Sequence, residues 1–165
     1  MSGSGGDPFT GLLQGSAELL ALPKRVKTLI IDDDADIRDG LRGIIESLGA
    51  EVVGEADNGR SGIERAQSLQ PDLVLLDVSM PVMGGFPAAR ELRAMMPALA
   101  IIFVSQHNER VYAEEALRIG AGYVLKRSAS ADLPEAIDAA ISGRTFVSRL
   151  INGRSVHSKS SLSML

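Results

Sequence analysis

The chain has 165 residues, of which 45% are hydrophobic and 23% are charged. This length suits one folded domain with short extensions, because single domains typically contain roughly 100 to 150 residues. The composition is that of a globular protein and excludes a fibrous or largely disordered chain. The formal net charge of -4 gives no electrostatic footprint for nucleic-acid phosphates, which call for a basic face, so we expect no direct nucleic-acid binding by this chain.

Other classes of site and segment are also excluded. The chain contains no cysteine, which excludes disulfides, thiolate nucleophiles and cysteine zinc sites. No apolar run approaches the roughly 20 residues of a membrane helix. The first basic residue is Lys24, which comes too late for the basic start of a secretory signal. We therefore expect a cytoplasmic protein with no membrane partner.

Both ends of the chain differ in composition from its centre. Residues 1–26 predict a flexible N-terminal extension, in which residues 9–23 carry apolar side chains at roughly helical spacing. A short helix there would either pack on the domain or act as a docking or dimer-forming segment. Residues 149–165 are Ser-rich without sustained periodicity, which predicts a disordered tail. The domain itself is then expected at residues 27–148.

Between these ends, short apolar runs alternate with amphipathic stretches, which indicates βα units around a parallel sheet. The predicted strands are residues 27–32, 51–56, 72–77, 99–105 and 122–126. Several are apolar throughout, as expected for strands that helices cover on both faces. The pattern predicts an α/β fold with a doubly wound (βα)5 parallel sheet of five strands.

The helices between these strands carry local start signals. Asp34 is expected to cap the first helix, and Pro87 suits the first turn of the third. Ser130 is expected to cap the fifth helix.

Polar side chains gather where the predicted strands end. Because the carboxyl ends of parallel strands form one rim where ligands bind, we expect these side chains to converge. They are Asp32, Asp33 and Asp34 after the first strand, Asp77 after the third, Ser105 after the fourth and Lys126 after the fifth.

Clustered carboxylates repel each other by about 4 kcal/mol at 4 Å and an effective dielectric of 20, so cations should offset them. Lys126 supplies one positive charge, and Mg²⁺, which binds carboxylates and bridges to phosphate oxygens, is the natural second. The rim therefore favours phosphoryl chemistry.

Four stretches resemble the motifs of two-component response-regulator receiver domains. They are LIIDDDADIR, LVLLDVSMPVMGGF, IIFVSQHN and GAGYVLKR, and the resemblance extends from Lys27 to about Ser148. It implies a flavodoxin-like receiver fold with strand order 2-1-3-4-5. The chain is most similar to receivers of LuxR/FixJ-type helix-turn-helix regulators. Too few residues follow Ser148 for a DNA-binding domain, so we expect either a stand-alone receiver or a fragment of a transcriptional regulator.

The resemblance also implies a role for each residue of the rim. Asp77 would accept the phosphoryl group, Lys126 would contact it, and Ser105 and Tyr123 would act as switch residues. Mg²⁺ would be held by four residues: Asp32, Asp33, Asp77 and the backbone carbonyl of Ser79. The chemistry would be limited to self-phosphorylation and autodephosphorylation, so a conventional enzyme is not expected.

The same resemblance implies the partners. A histidine kinase or phosphotransfer protein would donate the phosphoryl group. An output partner of unknown identity would bind the face formed by the fourth helix, the fifth strand and the fifth helix. That face is also the place where a phosphorylation-dependent dimer would form.

Three positions bear on how the motifs work. Arg127 stands where many receivers have a proline after a cis bond, and we predict a trans bond because a cis non-proline bond costs about 3 to 4 kcal/mol. Gln106 stands where many receivers keep a small residue, and the role of His107 stays open. Gly84 and Gly85 are expected to allow backbone angles that a side chain would forbid.

Two other classes of function fit part of the pattern. Asp32 and Asp34 match the D-x-D nucleophile motif of haloacid-dehalogenase-type phosphatases, but this leaves Asp77 and its loop unexplained. A receiver-like interaction module that is never phosphorylated would have no physical need for the whole cluster of acidic, hydroxyl and lysine side chains.

Overall fold

The structure, a computed structural model, describes residues 26–151. The predicted N-terminal helix within residues 9–23 and all but the first three residues of the predicted tail lie outside the described residues. None of the helices between residues 26 and 151 combines the length and apolar character that a membrane span needs.

Five parallel strands form one sheet in the order β2-β1-β3-β4-β5. The strands are β1 (Lys27–Ile31), β2 (Glu51–Ala56), β3 (Leu73–Leu76), β4 (Ala100–Ser105) and β5 (Gly122–Leu125). Both the doubly wound parallel sheet and the strand order are confirmed. The register pairs Ile31 with Leu76 and Leu76 with Phe103, so β1, β3 and β4 end close to one level.

Five helices flank the sheet, and the first four of them connect successive strands. They are α1 (Ala35–Ser47), α2 (Gly59–Leu69), α3 (Gly85–Met95), α4 (Arg110–Ile119) and α5 (Ala129–Ile141), and a 3-10 turn at Lys126–Ser128 precedes α5. Because successive side chains of a strand point to opposite faces, the core divides into two clusters. Along β1, Leu29 and Ile31 pack in one cluster with residues of α2, α3 and α4. Ile30 packs in the other cluster with residues of α1 and α5.

Two of the three predicted helix start signals agree with the structure, and the third does not. Asp34 caps α1 as predicted, because its Oδ1 accepts hydrogen bonds from the backbone N–H groups of Asp36 at 2.9 Å and Ile37 at 3.3 Å. Pro87 lies in the first turn of α3, where its missing N–H leaves no helical bond unmade. The prediction for Ser130 is wrong. The 3-10 turn starts the helical winding directly after Leu125, so α5 already begins at Ala129 and Ser130 lies inside it.

The chain continues beyond α5 along the outer edge of β5. Residues 144–151, here called the edge segment, pair with Tyr123: its N–H donates to the carbonyl of Phe146 at 2.8 Å, and its carbonyl accepts from the N–H of Ser148 at 2.9 Å. Val147 and Ile151 are buried in the cluster beneath α4. Ordered packing therefore extends to Ile151, three residues beyond the domain end expected from the sequence.

Candidate phosphoryl site

An acidic pocket lies at the carboxyl ends of β1 and β3. Asp32 and Asp77 are only 1% and 5% exposed, whereas Asp33 is exposed. One carboxylate oxygen from each of these three residues lies within 4.8 Å of the others. The structure thus brings together the three carboxylates that the sequence predicts as metal ligands. Asp34 is occupied as the cap of α1.

Lys126 contacts both buried carboxylates. Its Nζ lies 3.0 Å from Asp32 Oδ2 and 3.3 Å from Asp77 Oδ2. Burial raises the pKa of the Asp77 carboxyl, and the charge of Asp32 adds to this rise, while Lys126 opposes it. Burial lowers the pKa of Lys126, but the hydrogen bond to Asp32 and the charges of Asp77 and Asp32 outweigh burial, so that the pKa is raised overall. Lys126 is therefore a cation at neutral pH.

The acidic pocket fits a further cation. Asp32 Oδ1 accepts a hydrogen bond from the N–H of Asp34 at 2.9 Å. Its buried Oδ2 is contacted by Lys126 Nζ, and one lysine offsets only one of the three carboxylate charges. Carboxylate oxygens at this spacing are the ligands that Mg²⁺ prefers. Asp32, Asp33 and Asp77 are the residues that could hold it, and Ser79 follows Asp77 by two positions in the exposed part of the β3–α3 loop.

The two predicted switch residues are joined through one loop residue. Ser105 is fully buried at the end of β4, and its Oγ accepts a hydrogen bond from the N–H of His107 at 3.1 Å. The side chain of Tyr123 points inward and is fully buried, and its hydroxyl donates to the carbonyl of His107 at 2.7 Å. Burial raises the pKa of Tyr123 to about 12, so the hydroxyl keeps its proton at neutral pH. A shift of the His107 backbone would therefore disturb both side chains.

His107 also closes part of the rim above the pocket. Its Nε2 lies 3.0 Å from Ser79 Oγ, which links the β4–α4 loop to the β3–α3 loop. Its ring stacks on Tyr112 of α4 at a centroid distance of 4.5 Å and an interplanar angle of 12°. From the sequence alone, the role of His107 stays open. The only signal was its position, two residues after the predicted switch serine.

Close packing holds the loop after β3 in place. Asp77 Oδ1 accepts from the N–H of Val78 at 2.8 Å, and the carbonyl of Val78 accepts from the N–H of Gly85 at 2.8 Å. A Cβ atom at Gly85 would overlap the backbone carbonyl of Asp77. The prediction that Gly84 and Gly85 allow backbone angles that a side chain would forbid is wrong, because neither has a positive φ angle. A glycine is needed at position 85 because its backbone passes close to the carbonyl of Asp77. The residue of this loop that has a left-handed backbone conformation is Val82, with φ 66°.

The bond between Lys126 and Arg127 is trans as predicted, since residues 26–151 contain no cis peptide bond. Lys126 therefore reaches the pocket from the start of the 3-10 turn without the cis proline of many receivers.

Comparisons with known proteins agree with this geometry. Residues 28–138 match the response regulator receiver domain family. The response regulator GacA of Pseudomonas syringae pv. syringae is 33% identical over 125 residues, which cover 74% of this chain and 58% of that protein. The nitrate/nitrite response regulator protein NarL of Escherichia coli strain K12 is 40% identical over 127 residues, with 74% and 58% covered. The crystal structure of a LuxR-family response regulator from Aurantimonas sp. SI85-9A1 has a TM-score of 0.72 at 34% identity, covering 76% of this chain and 91% of that one.

These similarities show that the chain belongs to the family of response-regulator receiver domains. It is a receiver homologous to those of NarL-type regulators, and its aligned part spans about 58% of the length of the two relatives named here. Receiver domains bind Mg²⁺ at an acidic pocket and interact with histidine kinases or phosphotransfer proteins. The phosphatase alternative is not better supported, and Oδ1 of Asp34, the second carboxylate of its motif, is engaged as the cap of α1.

Asp32→Asn is expected to weaken Mg²⁺ binding by about 10- to 100-fold, the range typical for loss of a group that supports a metal site. Asp34→Asn removes the same charge nearby but leaves a good helix cap, so it serves as the matched control. Backbone amide shifts in NMR titrations with Mg²⁺ would measure both affinities. Equal losses in the two variants would contradict the assignment of Asp32 as a ligand.

Proposed function

We propose that Asp77 is the phosphoacceptor of this receiver and that Asp32, Asp33, Asp77 and the carbonyl of Ser79 hold Mg²⁺ during the reaction. The observation that supports this most directly is that the buried carboxylates of Asp77 and Asp32 share one cation, with Lys126 Nζ 3.3 Å from Asp77 Oδ2 and 3.0 Å from Asp32 Oδ2. Two buried carboxylates that share one lysine, with the pKa of Asp77 raised by burial and by Asp32, indicate a functional site more than a structural ion pair.

The reaction forms one bond and breaks one. A carboxylate oxygen of Asp77 attacks phosphorus, and the bond from phosphorus to the imidazole nitrogen of a phosphohistidine, or to the carboxyl oxygen of acetyl phosphate, breaks as the leaving group takes the electron pair. The product is an acyl phosphate. Mg²⁺ held by these residues would supply positive charge to the phosphoryl oxygens. Lys126 can contact one of these oxygens because its Nζ already lies 3.3 Å from Asp77 Oδ2.

The response would start at Ser105. When its hydroxyl turns toward a phosphoryl oxygen, Ser105 gives up the hydrogen bond it accepts from His107. The backbone carbonyl of His107 accepts the hydrogen bond from the Tyr123 hydroxyl, so a shift of His107 also moves the Tyr123 side chain. A local change at Asp77 thereby reaches β5.

The output partner, and a phosphorylation-dependent dimer, would use the face of α4, β5 and α5. Because the edge segment pairs with the outer side of β5, a partner meets residues 144–151 there instead of the β5 backbone. Two exposed apolar side chains, Val111 on α4 and Leu150 in the edge segment, are 62% and 54% exposed. We assign both to this partner surface. In a longer protein with a helix-turn-helix domain, that domain is a candidate for the same surface.

The proposed function is tested by phosphorylation with acetyl phosphate. We expect one phosphoryl group per chain in the presence of Mg²⁺ and none after the metal is chelated. Reduction of the acyl phosphate with borohydride, followed by peptide mass spectrometry, should place the group on the peptide that contains Asp77. A modified serine or histidine, or labelling that persists without a divalent cation, would overturn the proposal.

His107→Ala is expected to raise the rate of phosphorylation by acetyl phosphate by about 2- to 10-fold. The substitution removes the contact with Ser79 that closes the rim, and one hydrogen bond of about 0.5 to 1.5 kcal/mol corresponds to a rate change of that size. Ser79→Ala breaks the same contact from the other side and should give the same increase. Glu109→Ala, whose Oε2 lies 3.9 Å from His107 Nδ1, is the control and should change the rate little. Unchanged rates in both rim variants would contradict a gating role.

A further inference from the structure

A second depression lies at the opposite end of the sheet from Asp77. This amino-end groove has a volume of about 620 Å³. Its lining comes from residues just before or at the start of β1, β3 and β4 and from the C-terminal ends of α3 and α5. The residues that matter here are Val26, Asp72, Met95, Met96, Pro97 and Ile141. Since all five strands are parallel, the groove and the acidic pocket are separated by the length of the sheet.

The groove exposes apolar side chains to solvent. Met95 is 41% exposed and Ile141 is 38% exposed, and they are two of the five large hydrophobic residues that are exposed among residues 26–151. Exposed apolar side chains that gather in one depression indicate a surface that another segment covers. Methionine suits such a surface, because its unbranched side chain adapts to irregular neighbours.

The N-terminal extension enters the fold at this groove. Val26 lines it, and the backbone around Val26 is fixed: its carbonyl accepts from the N–H of Glu51 at 3.0 Å, and the next N–H, of Lys27, donates to Asp72 Oδ2 at 2.9 Å. A chain advances at most about 3.3 to 3.6 Å per residue, so the four residues that separate Leu22 from Val26 span at most about 14 Å. The extension therefore starts beside the exposed apolar side chains.

The extension has the composition to cover them. Residues 9–22 contain no basic residue and one acidic residue, Glu18, and their apolar side chains recur at the spacing of one helical face: Phe9, Leu12, Leu13 and Leu20. We propose that this face packs into the amino-end groove of the same chain, with Met95 and Ile141 as its main contacts.

Two other occupants fit the observations less well. The residues after Ile151 leave from the other end of the domain, because the edge segment runs parallel to β5 toward its carboxyl end. A second copy of the chain must compete with a segment tethered by three residues, Pro23 to Arg25, and such short tethers give effective concentrations in the millimolar range. The extension of the same chain is thus favoured at ordinary protein concentrations.

The experiment uses the full chain labelled at its methionine methyl groups. In the double variant Leu12→Ser with Leu13→Ser, the NMR signals of Met95 and Met96 should shift, while those of Met80 and Met83, in the loop after β3, stay in place. Gln14→Ser is the control on the same segment and should shift none of the four. Oxidation of Met95 by dilute peroxide should be about fivefold faster in the double variant, since methionine oxidation follows exposure.

Two results would overturn the inference. The first is that the Met95 and Met96 signals are the same in the double variant and in the unchanged chain. The second is that their positions depend on protein concentration and follow a monomer–dimer equilibrium in size-exclusion chromatography, which would place the segment of a second copy in the groove. Neither result bears on phosphorylation of Asp77, because the groove lies at the other end of the sheet.

Discussion

Replacing Asp77 with Asn is expected to lower phosphorylation by acetyl phosphate by at least about 1000-fold, because an amide oxygen cannot act as the nucleophile that forms the acyl phosphate. The side chain keeps its shape, and its oxygen can still accept the hydrogen bond from the N–H of Val78. The loss would therefore come from the chemistry of the acceptor and not from a rearranged loop. Radioactive or mass-spectrometric phosphoryl incorporation measures it, and Asp34→Asn should be labelled like the unchanged chain.

The same substitution should stabilise the metal-free protein at neutral pH. The pKa of Asp77 is raised in the fold by burial and by Asp32, so the folded wild-type chain loses stability, relative to its protonated form, as the pH rises through that pKa. Asn carries no charge and avoids this loss. The gain in the free energy of unfolding should shrink as the pH falls and Asp77 becomes protonated. A variant that is both unlabelled and destabilised at neutral pH would contradict this account and would point to a folding defect.

Gly85→Ala is expected to lower the free energy of unfolding by about 3 kcal/mol, at the upper end of the range for overpacking. The new methyl group would overlap the carbonyl of Asp77, which is backbone and cannot move aside without shifting the acceptor itself. We therefore expect phosphorylation to be impaired together with stability. Urea unfolding and acetyl phosphate labelling of the same sample measure the two effects.

Gly43→Ala is the matched control for this prediction. Gly43 is exposed in the middle of α1, and a Cβ atom there would meet nothing within 4 Å. Alanine is a better helix former than glycine, so this variant should gain roughly 0.5 to 1 kcal/mol with unchanged labelling. Similar stability changes in the two variants would mean that the close approach at Gly85 has been misjudged.

The sequence predicts the parts of this molecule that depend on local patterns or on the general rules of parallel sheets. Asp34 is found as a helix cap because the side chain contacts backbone groups two and three residues ahead. The convergence of Asp32, Asp77 and Lys126 follows from their places at strand ends, since parallel strands end on one rim. These contacts needed no knowledge of loop conformation.

The features that the sequence does not predict are those that arise where separate segments of the chain contact each other in the fold. The contact between His107 and Ser79 joins two loops that are 28 positions apart in the chain, and no periodic pattern marks either loop. The start of α5 was misplaced because a 3-10 turn leads into it, and turns of this kind carry no strong sequence signal. The sequence places residues 144–148 at the end of the domain but does not predict that they pair with β5. So short a run of residues carries no strand pattern, and the pairing depends on the folded arrangement of the chain.

The edge segment also affects how the molecule behaves at high concentration. An open sheet has two outer strands whose unpaired backbone groups can pair with another chain, and this is a common route to aggregation. On the β5 side, the chain itself pairs with both backbone groups of Tyr123, and Ser148 Oγ accepts from the N–H of Leu125. The outer strand on the other side is β2, which begins with the exposed carboxylate of Glu51. Strand addition by a neighbouring molecule is thus blocked at one margin of the sheet and meets negative charge at the other.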